Sequence, residues 1–290
     1  MKVTKAIIPA AGYGTRVLPA TKVLPKEMFP IVDKPAIQYI VEEAVASGIK
    51  DILIITNRGK NIIEDHFDRA PELEQRLLDS EKCNLRNQAI DISNLANIYF
   101  IRQKESKGLG HAIMCAKTFV NNEPFAVLYG DDVIVGKTPA CSELLNAFYK
   151  YGKITLGIKK VSKNDISKFS SLKVDPIKEN IFNCTDMIEK PKTPSEVMSL
   201  YSIQGRCILT PDIFNALKTT SPGAGGEIQL TDAIKKVAQK SGTIAVEYSG
   251  KRYDIGSKLG VLSACVEVGL CHPETKEEFS RYLKNLQNLL

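Results

Sequence analysis

Apolar and polar positions near the start of the chain alternate in blocks that predict a strand, a helix and a second strand. Residues 5–9 and 51–56 are short runs of apolar side chains bounded by polar ones, as in buried strands. Between them, residues 35–47 carry apolar side chains three and four positions apart, which predicts a helix that Gly48 ends. A strand–helix–strand unit of this kind predicts a parallel sheet with a right-handed crossover.

The same alternation continues along the rest of the chain. Further strands are predicted at 97–102, 125–129, 154–161, 172–174, 181–187, 203–209 and 244–248. Helices are predicted after Asn57, over most of 71–94, and at 112–120, 139–151, 211–217, 233–240 and 259–268. Strands that alternate with helices in this way predict the α/β class.

The stretch that follows the first strand is rich in glycine and in cations. Residues 10–34 are AAGYGTRVLPATKVLPKEMFPIVDK. Glycines let the backbone approach a ligand closely, and successive free N–H groups can point at an anion. Val17 stands where a dinucleotide fingerprint or a P-loop, counted from Gly12, needs a glycine, so both motifs fail. A phosphate-binding loop of another type and a solvated Gly/Pro loop remain.

The order G-x-G-T-R-x-x-P-x-T-K, followed by P-K-E-x-x-P-x-x-x-K-P, resembles the sugar-1-phosphate nucleotidyltransferase family. The resemblance covers nearly the whole chain, and the tract G-A-G-G-E-I-Q-L-T-D at 223–232 is similar to the uridylyltransferase branch. It implies a Rossmann-like, three-layer α/β/α fold with a mostly parallel sheet and a small β-rich sugar-binding elaboration. It also implies Mg²⁺-dependent transfer of uridylyl from UTP to glucose 1-phosphate, which gives UDP-glucose and pyrophosphate.

The resemblance assigns the nucleotide to the first loop and to a second loop after residue 102. It implies that the backbone near Ala11 and Gly12 holds the nucleotide. Gly14 also belongs to these substrate-binding residues, and Glu27 supports them. The family binds the base with a glutamine and a glycine five residues later, and Gln103 and Gly108 keep this spacing. A glutamine side chain offers a donor and an acceptor, which complement one edge of uracil or thymine. A polar loop is the alternative for Gln103.

Two carboxylates are candidates for the metal. Asp131 follows the apolar run 125–129, and open α/β sheets bind ligands at the carboxyl ends of their strands. Magnesium prefers hard oxygen ligands, usually one or two carboxylates together with substrate phosphates. The resemblance implies that Asp131 and Asp254 are these ligands. Turn residues are the alternative for both aspartates.

The remaining site residues are implied by the resemblance. Arg16 would neutralise the leaving pyrophosphate, and Lys26 would bind the phosphates of UTP. Lys190 would hold the attacking sugar phosphate, and Glu189 would accept hydrogen bonds from the sugar. A surface charge run is the alternative for E-K-P at 189–191. Many members carry a glycine about twenty residues before this triplet, and Ser170 takes its place here. A serine there can add a hydrogen bond or narrow the pocket, so a related enzyme that uses dTTP or another hexose 1-phosphate remains an alternative. A catalytically silent sensor of nucleotide sugars is a second alternative.

One nucleotidyltransferase domain is expected at 1–272, with a nucleotide-binding part at about 1–152 and a sugar-binding part at about 153–256. A C-terminal helix is expected at 273–290, where an apolar stripe packs on its own subunit or joins copies into a homo-oligomer. The stripe consists of Phe279, Tyr282, Leu283, Leu286 and Leu290.

Composition narrows the class of protein. A net charge of +6 without a long basic run suits small polyphosphate ligands better than nucleic acid. The sequence contains no apolar run of membrane-spanning length and no secretion signal peptide, which predicts a cytoplasmic protein without a membrane partner. The cysteines number seven, without a C-x-x-C pair, which argues against a disulfide framework and a zinc site.

Overall fold

The computed structural model of the chain describes residues 2–287. The strands are β1 (Lys5–Pro9), β2 (Pro30–Ile31), β3 (Lys34–Pro35), β4 (Asp51–Thr56), β5 (Asn97–Arg102), β6 (Phe125–Leu128), β7 (Asp132–Val135), β8 (Thr155–Lys160), β9 (Ser170–Lys178), β10 (Ile181–Glu189), β11 (Tyr201–Leu209), β12 (Thr243–Glu247) and β13 (Lys251–Asp254). The helices are α1 (Ala36–Ala46), α2 (Asn61–Phe67), α3 (Pro71–Asp79), α4 (Cys83–Ser93), α5 (Leu109–Cys115), α6 (Lys117–Val120), α7 (Ala140–Tyr151), α8 (Ile213–Lys218), α9 (Leu230–Ser241), α10 (Lys258–Gly269) and α11 (Lys276–Gln287).

One large sheet runs through both halves of the protein. Over residues 2–287 its strand order is β5-β4-β1-β6-β11-β8-β12-β10-β9. All of these strands except β10 and β11 run in the same direction. The predicted α/β fold with a mostly parallel sheet is therefore confirmed. The β-rich second half continues this sheet, because β11 pairs directly with β6 of the first half.

The sheet is covered on both faces, which explains why its central strands are apolar throughout. In β1, Ala6 and Ile8 belong to a core shared with α1 and α7, whereas Ile7 belongs to a second core shared with α5, α8 and α9. All three side chains are completely buried. Successive side chains of a strand point to opposite faces, so the two cores lie on the two sides of the sheet and make three layers.

Several predicted elements match the structure, and others differ at identifiable points. The predicted strands 51–56 and 97–102 coincide with β4 and β5. The helix predicted at 112–120 begins earlier, at Leu109, and is interrupted at Ala116 between α5 and α6. The pieces around 172–174 and 181–187 are parts of two nine-residue strands, β9 and β10. The short strands β7 and β13 were not predicted, because four residues of mixed polarity show no clear period.

A buried ion pair ties α1 to the middle of the sheet. Arg206 in β11 is 1% exposed and donates to Glu43 in α1 through Nε at 2.9 Å and Nη2 at 2.6 Å. The same carboxylate accepts a hydrogen bond from the backbone of Cys141 at the start of α7. Removing one partner of such a pair leaves an uncompensated buried charge, so these contacts hold both helices in register with β11.

The C-terminal helix α11 packs partly on its own chain. An added Cβ at Gly269 of α10 would lie 3.3 Å from the ring of Phe279, which therefore rests on that helix. Tyr282 is exposed, and Leu290, the last residue of the predicted stripe, lies outside the described residues. None of the helices in residues 2–287 combines the length and the apolar character that crossing a membrane requires.

Candidate active site

A cavity of about 720 Å³ opens at the carboxyl ends of β1 and β6. These strands are parallel neighbours, so the residues that follow them meet at the same edge of the sheet. The lining includes residues from the whole length of the chain that the sequence singled out: Ala11, Gly12, Arg16, Lys26, Gln103, Gly108, Asp131, Ser170, Glu189, Lys190 and Asp254. Two others, Gly14 and Glu27, are not among the lining residues.

The first loop is fastened from behind by Lys60, which the sequence did not suggest. Its ammonium donates to the carbonyl oxygens of Ala10 at 2.6 Å and Gly12 at 2.7 Å, and to Glu27 Oε2 at 2.8 Å. These three bonds use all the hydrogens that a lysine ammonium offers. Glu27 is 1% exposed, so its carboxylate supports the loop and does not reach the cavity. Asn57 adds a bond to Ala11 O at 2.5 Å.

Lys26 and Asp131 form an ion pair inside the cavity. Lys26 Nζ lies 2.6 Å from Asp131 Oδ2. Burial alone would raise the pKa of Asp131, but the neighbouring charges, first Lys26 and then Arg252 and Arg16, hold it below the ordinary value. Burial alone would lower the pKa of Lys26, and Asp131 and Glu27 raise it above the ordinary value. Both groups are therefore charged at neutral pH.

Asp254, which lies far along the chain from Asp131, lines the same cavity. Strand β13 pairs with β7 so that Asp254 stands opposite Asp132, the residue after Asp131. Arg16 grips Asp254 with two bonds, from Nη1 to Oδ2 at 2.9 Å and from Nη2 to Oδ1 at 3.2 Å. The planar fork of an arginine suits such a two-point contact with a carboxylate and equally with a phosphate.

The two carboxylates face one small space beside Gly256. A Cβ at that position would lie 2.9 Å from Asp254 Oδ1 and 3.1 Å from Asp131 Oδ2, too close for a side chain. Nη2 of Arg16 is nearer still, at 2.5 Å, so the glycine leaves open a gap lined by two carboxylate oxygens and one guanidinium group. Two carboxylates with room for substrate phosphates suit a divalent cation of the magnesium type, so these residues fit such an ion.

At one end of the cavity, the carboxamide of Gln103 is fixed in orientation. Its Nε2 donates to the carbonyl oxygen of Gly108 at 3.2 Å and lies 2.9 Å from Nδ1 of His111. An amide nitrogen can only donate, so Nδ1 of His111 accepts this hydrogen bond. Both amide hydrogens are thereby used, and the oxygen Oε1 is the group left for a ligand.

At the other end lie Ser170, Glu189 and Lys190. Ser170 and Glu189 are paired across β9 and β10. The hydroxyl of Ser170 is engaged within the protein, because it accepts from Ile203 N and hydrogen-bonds Ser202 Oγ, both at 3.1 Å. Glu189 accepts from Thr231 at 2.8 Å, and its pKa is raised by burial. Thr231 lies in the 223–232 tract, which contributes to this wall of the cavity.

Comparison with known proteins identifies relatives along the whole chain. The family model described as "Nucleotidyl transferase" matches residues 5–269. The UTP–glucose-1-phosphate uridylyltransferase YngB of Bacillus subtilis is 50% identical over 285 residues, which are 98% of this chain and 96% of that protein. The UTP–glucose-1-phosphate uridylyltransferase of Staphylococcus epidermidis is 46% identical over 98% of this chain and 99% of its own.

A solved structure shows the same fold. The UTP-bound UDP-glucose pyrophosphorylase of Acinetobacter baumannii superposes with a TM-score of 0.91 at 34% identity, over 98% of this chain and 100% of that one. This likeness extends over both the first and the second half of the chain. The fold is therefore shared along nearly the whole chain.

Proposed function

The chain belongs to the nucleotidyl transferase family, and we propose that it transfers the uridylyl group of UTP to glucose 1-phosphate. The products are UDP-glucose and pyrophosphate. One observation carries the proposal: Gln103, a cationic loop, two carboxylates and the lysine of the E-K-P triplet surround the same cavity. Relatives with this activity in their names match nearly the full length of the chain.

The reaction is an in-line displacement at phosphorus. An oxygen of the sugar phosphate forms a bond to the α-phosphorus of UTP while the bond from that phosphorus to the bridging oxygen of pyrophosphate breaks. The attacking phosphate is already an anion at neutral pH, so no side chain has to remove a proton. The protein's task is to align two polyanions and to offset their charge, as in phosphoryl transfer generally.

The lining residues suit these tasks. We assign the base to Gln103 and Gly108, the phosphates of UTP to Lys26 and the backbone at Gly12, and the leaving pyrophosphate to Arg16. Arg16 is 60% exposed at its side chain and lies at the rim, where a departing anion would pass. Lys190 then meets the attacking phosphate from the sugar end.

A divalent cation, Mg²⁺ by our proposal, fits the gap between Asp131 and Asp254. When bound there, it would neutralise phosphate charge and polarise phosphoryl oxygens. The contribution of the protein is to keep Asp131 ionised and to hold both carboxylates beside the same gap. Lys26 and Arg16 do this by their bonds to Asp131 and Asp254.

The fixed carboxamide of Gln103 predicts the choice of nucleotide. Its free Oε1 is an acceptor, which matches the N3–H donor of uracil and opposes N3 of cytosine, also an acceptor. With glucose 1-phosphate and Mg²⁺, we expect pyrophosphate release to be fastest with UTP and at least about 100-fold slower with CTP. The measurement is initial rates with UTP, dTTP, ATP, CTP and GTP.

The other nucleotides separate the competing functions. Comparable rates with dTTP, which carries the same ring donor, would indicate a broader nucleotidyltransferase. Pyrophosphate release with CTP as fast as with UTP would contradict the role of Gln103. No release with any nucleotide from folded protein would contradict the proposed activity and favour a sensor of nucleotide sugars.

The charges in the site predict the pH dependence. The pKa of Asp131 is lowered and that of Lys26 is raised, so both stay charged across the neutral range. The groups that gain a proton as the pH falls are then the sugar phosphate, with a second pKa of about 6, and Glu189, whose pKa is raised by burial. We expect kcat/KM for glucose 1-phosphate to be constant between about pH 7 and 9 and to fall about tenfold per unit below about pH 6. A decline between pH 7 and 9 would show that a protein group must be protonated for turnover.

We also propose that copies of this chain associate, in a cytoplasmic dimer or tetramer. The outward side of α10 supports this, because Leu259 and Leu262 are exposed there. Sedimentation of the purified full chain gives the assembly directly.

A further inference from the structure

A buried carboxamide without a partner lies in the wall of the cavity. Gln204 in β11 is 2% exposed. It lines this cavity next to Ile203, whose N–H is bonded to Ser170, and it also lines a second cavity beside residues 159–161. Within residues 2–287 its side chain makes no hydrogen bond, and its Nε2 is wholly buried. A buried amide left unpaired destabilises a protein, so native structures seldom keep one that nothing satisfies. A ligand group is a natural partner.

The backbone around Gln204 is built to place this side chain. The pairing of β11 with β8 is regular up to Ile203 and resumes at Cys207, so Gln204 lies in an irregular segment. The next residue, Gly205, has φ +74°, a conformation that other residues rarely adopt. Its carbonyl oxygen is fastened by Tyr129 N at 2.9 Å. Bulges of this kind occur next to active sites, where they redirect a side chain.

The chemistry of the neighbours indicates what Gln204 meets. The phosphates are served by cations, namely Arg16, Lys26 and Lys190, whereas Gln204 is neutral. The adjoining Ser170 hydroxyl is already bonded to Ile203 and Ser202. A carboxamide both donates and accepts, which is what a sugar hydroxyl requires.

We propose that Gln204 is a specificity-determining residue for the sugar phosphate, whose carboxamide hydrogen-bonds one ring hydroxyl of the hexose. The inference rests on the proposed function and deepens it. It selects hexose 1-phosphates that carry this hydroxyl, because a substrate without it leaves the buried amide unpaired. The serine at position 170 then shapes the wall, and the recognition of the hydroxyl belongs to Gln204.

The test is Gln204→Leu, which keeps the volume and removes the hydrogen-bonding group. We expect KM for glucose 1-phosphate to rise about tenfold, the size of one neutral hydrogen bond, with KM for UTP within about twofold. The melting temperature should equal or exceed that of the wild type, because the variant has lost an unpaired buried amide. A matched control is Gln38→Leu in α1, which removes a buried amide bonded to Glu42 of the same helix and to His66 of α2. That control should lower the melting temperature and leave both KM values unchanged.

Monodeoxy derivatives of glucose 1-phosphate identify the hydroxyl. In the wild type, the derivative that lacks it should show a reduced kcat/KM, and in Gln204→Leu that disadvantage should disappear for this derivative alone. An unchanged KM for glucose 1-phosphate, or the wild-type pattern of discrimination in the variant, overturns the inference. Gln204→Met provides the same comparison if the leucine variant does not fold. If the wild-type protein turns over and either of these results is found, only this inference is contradicted. If the folded wild-type protein shows no turnover, the proposed function is contradicted as well.

Discussion

Replacing Lys190 by alanine is expected to lower kcat about 10³-fold while the protein remains folded. The side chain of Lys190 is exposed in the cavity and, among the described residues, makes no hydrogen bond or ion pair. Its loss therefore leaves no buried group unpaired, and the melting temperature should stay within about 2 °C. By our proposal, the variant loses the cation that aligns the attacking phosphate and offsets its charge. Steady-state kinetics and thermal unfolding of the same preparation check both parts.

The backbone at Lys190 supports this role. Its φ is +50°, a left-handed conformation that costs a residue with a side chain about 1–2 kcal/mol. Its N–H is bonded to Phe169 O at 2.9 Å, which fixes the end of β10 against the start of β9. Alanine keeps the same backbone cost, so the comparison isolates the ammonium.

Lys192→Ala is the matched control for Lys190→Ala. It removes a cation two residues away that is also exposed but does not line the cavity. It should retain wild-type kcat. Wild-type turnover by Lys190→Ala, or an equal loss in both variants, would show that Lys190 has no specific contact with the attacking phosphate.

The parts of the fold that the sequence predicted best are those with a strong local pattern. Strands β4 and β5 have pronounced apolar, β-branched or aromatic character, and both were located at their actual ends. The strands that join the two halves of the site, β7 and β13, escaped prediction. They are short, and they are stabilised by pairing with each other across more than a hundred residues, which no local pattern can show.

The residues of the candidate site also differ in whether a local pattern could predict them. Asp131 was placed by its position after a buried strand, whereas the motif resemblance was needed for Asp254, Gln103 and Lys190. Neither argument found Lys60, a lone lysine in a Gly-containing turn, although it fastens the first loop. Gln204 was missed because a single polar residue in a strand has no period, and only its burial without a partner distinguishes it.

Asp131→Asn is expected to abolish most of the Mg²⁺-dependent turnover, a loss of about 10³-fold or more in kcat. The substitution is nearly isosteric, and an asparagine oxygen can still accept from Lys26, so the shape of the site should persist. It removes one negative charge from a gap where two carboxylates approach the same point. The measurement is the initial rate as a function of Mg²⁺ concentration, accompanied by calorimetric titration of Mg²⁺ in the presence of UTP.

The neighbouring aspartate separates a metal ligand from a structural carboxylate. Asp132 is buried and forms an ion pair with Arg252 at 2.5 Å, so Asp132→Asn should lower the melting temperature, because Arg252 would lose its charged partner. Asp131→Asn should instead leave stability nearly unchanged and move the Mg²⁺ dependence, since its partner Lys26 retains Glu27 nearby. An Asp131→Asn variant with the Mg²⁺ curve of the wild type would exclude that carboxylate as a ligand. The cation would then have to depend on Asp254 and the substrate phosphates, and the pairing of β7 with β13 would place that one ligand and, through it, Arg16.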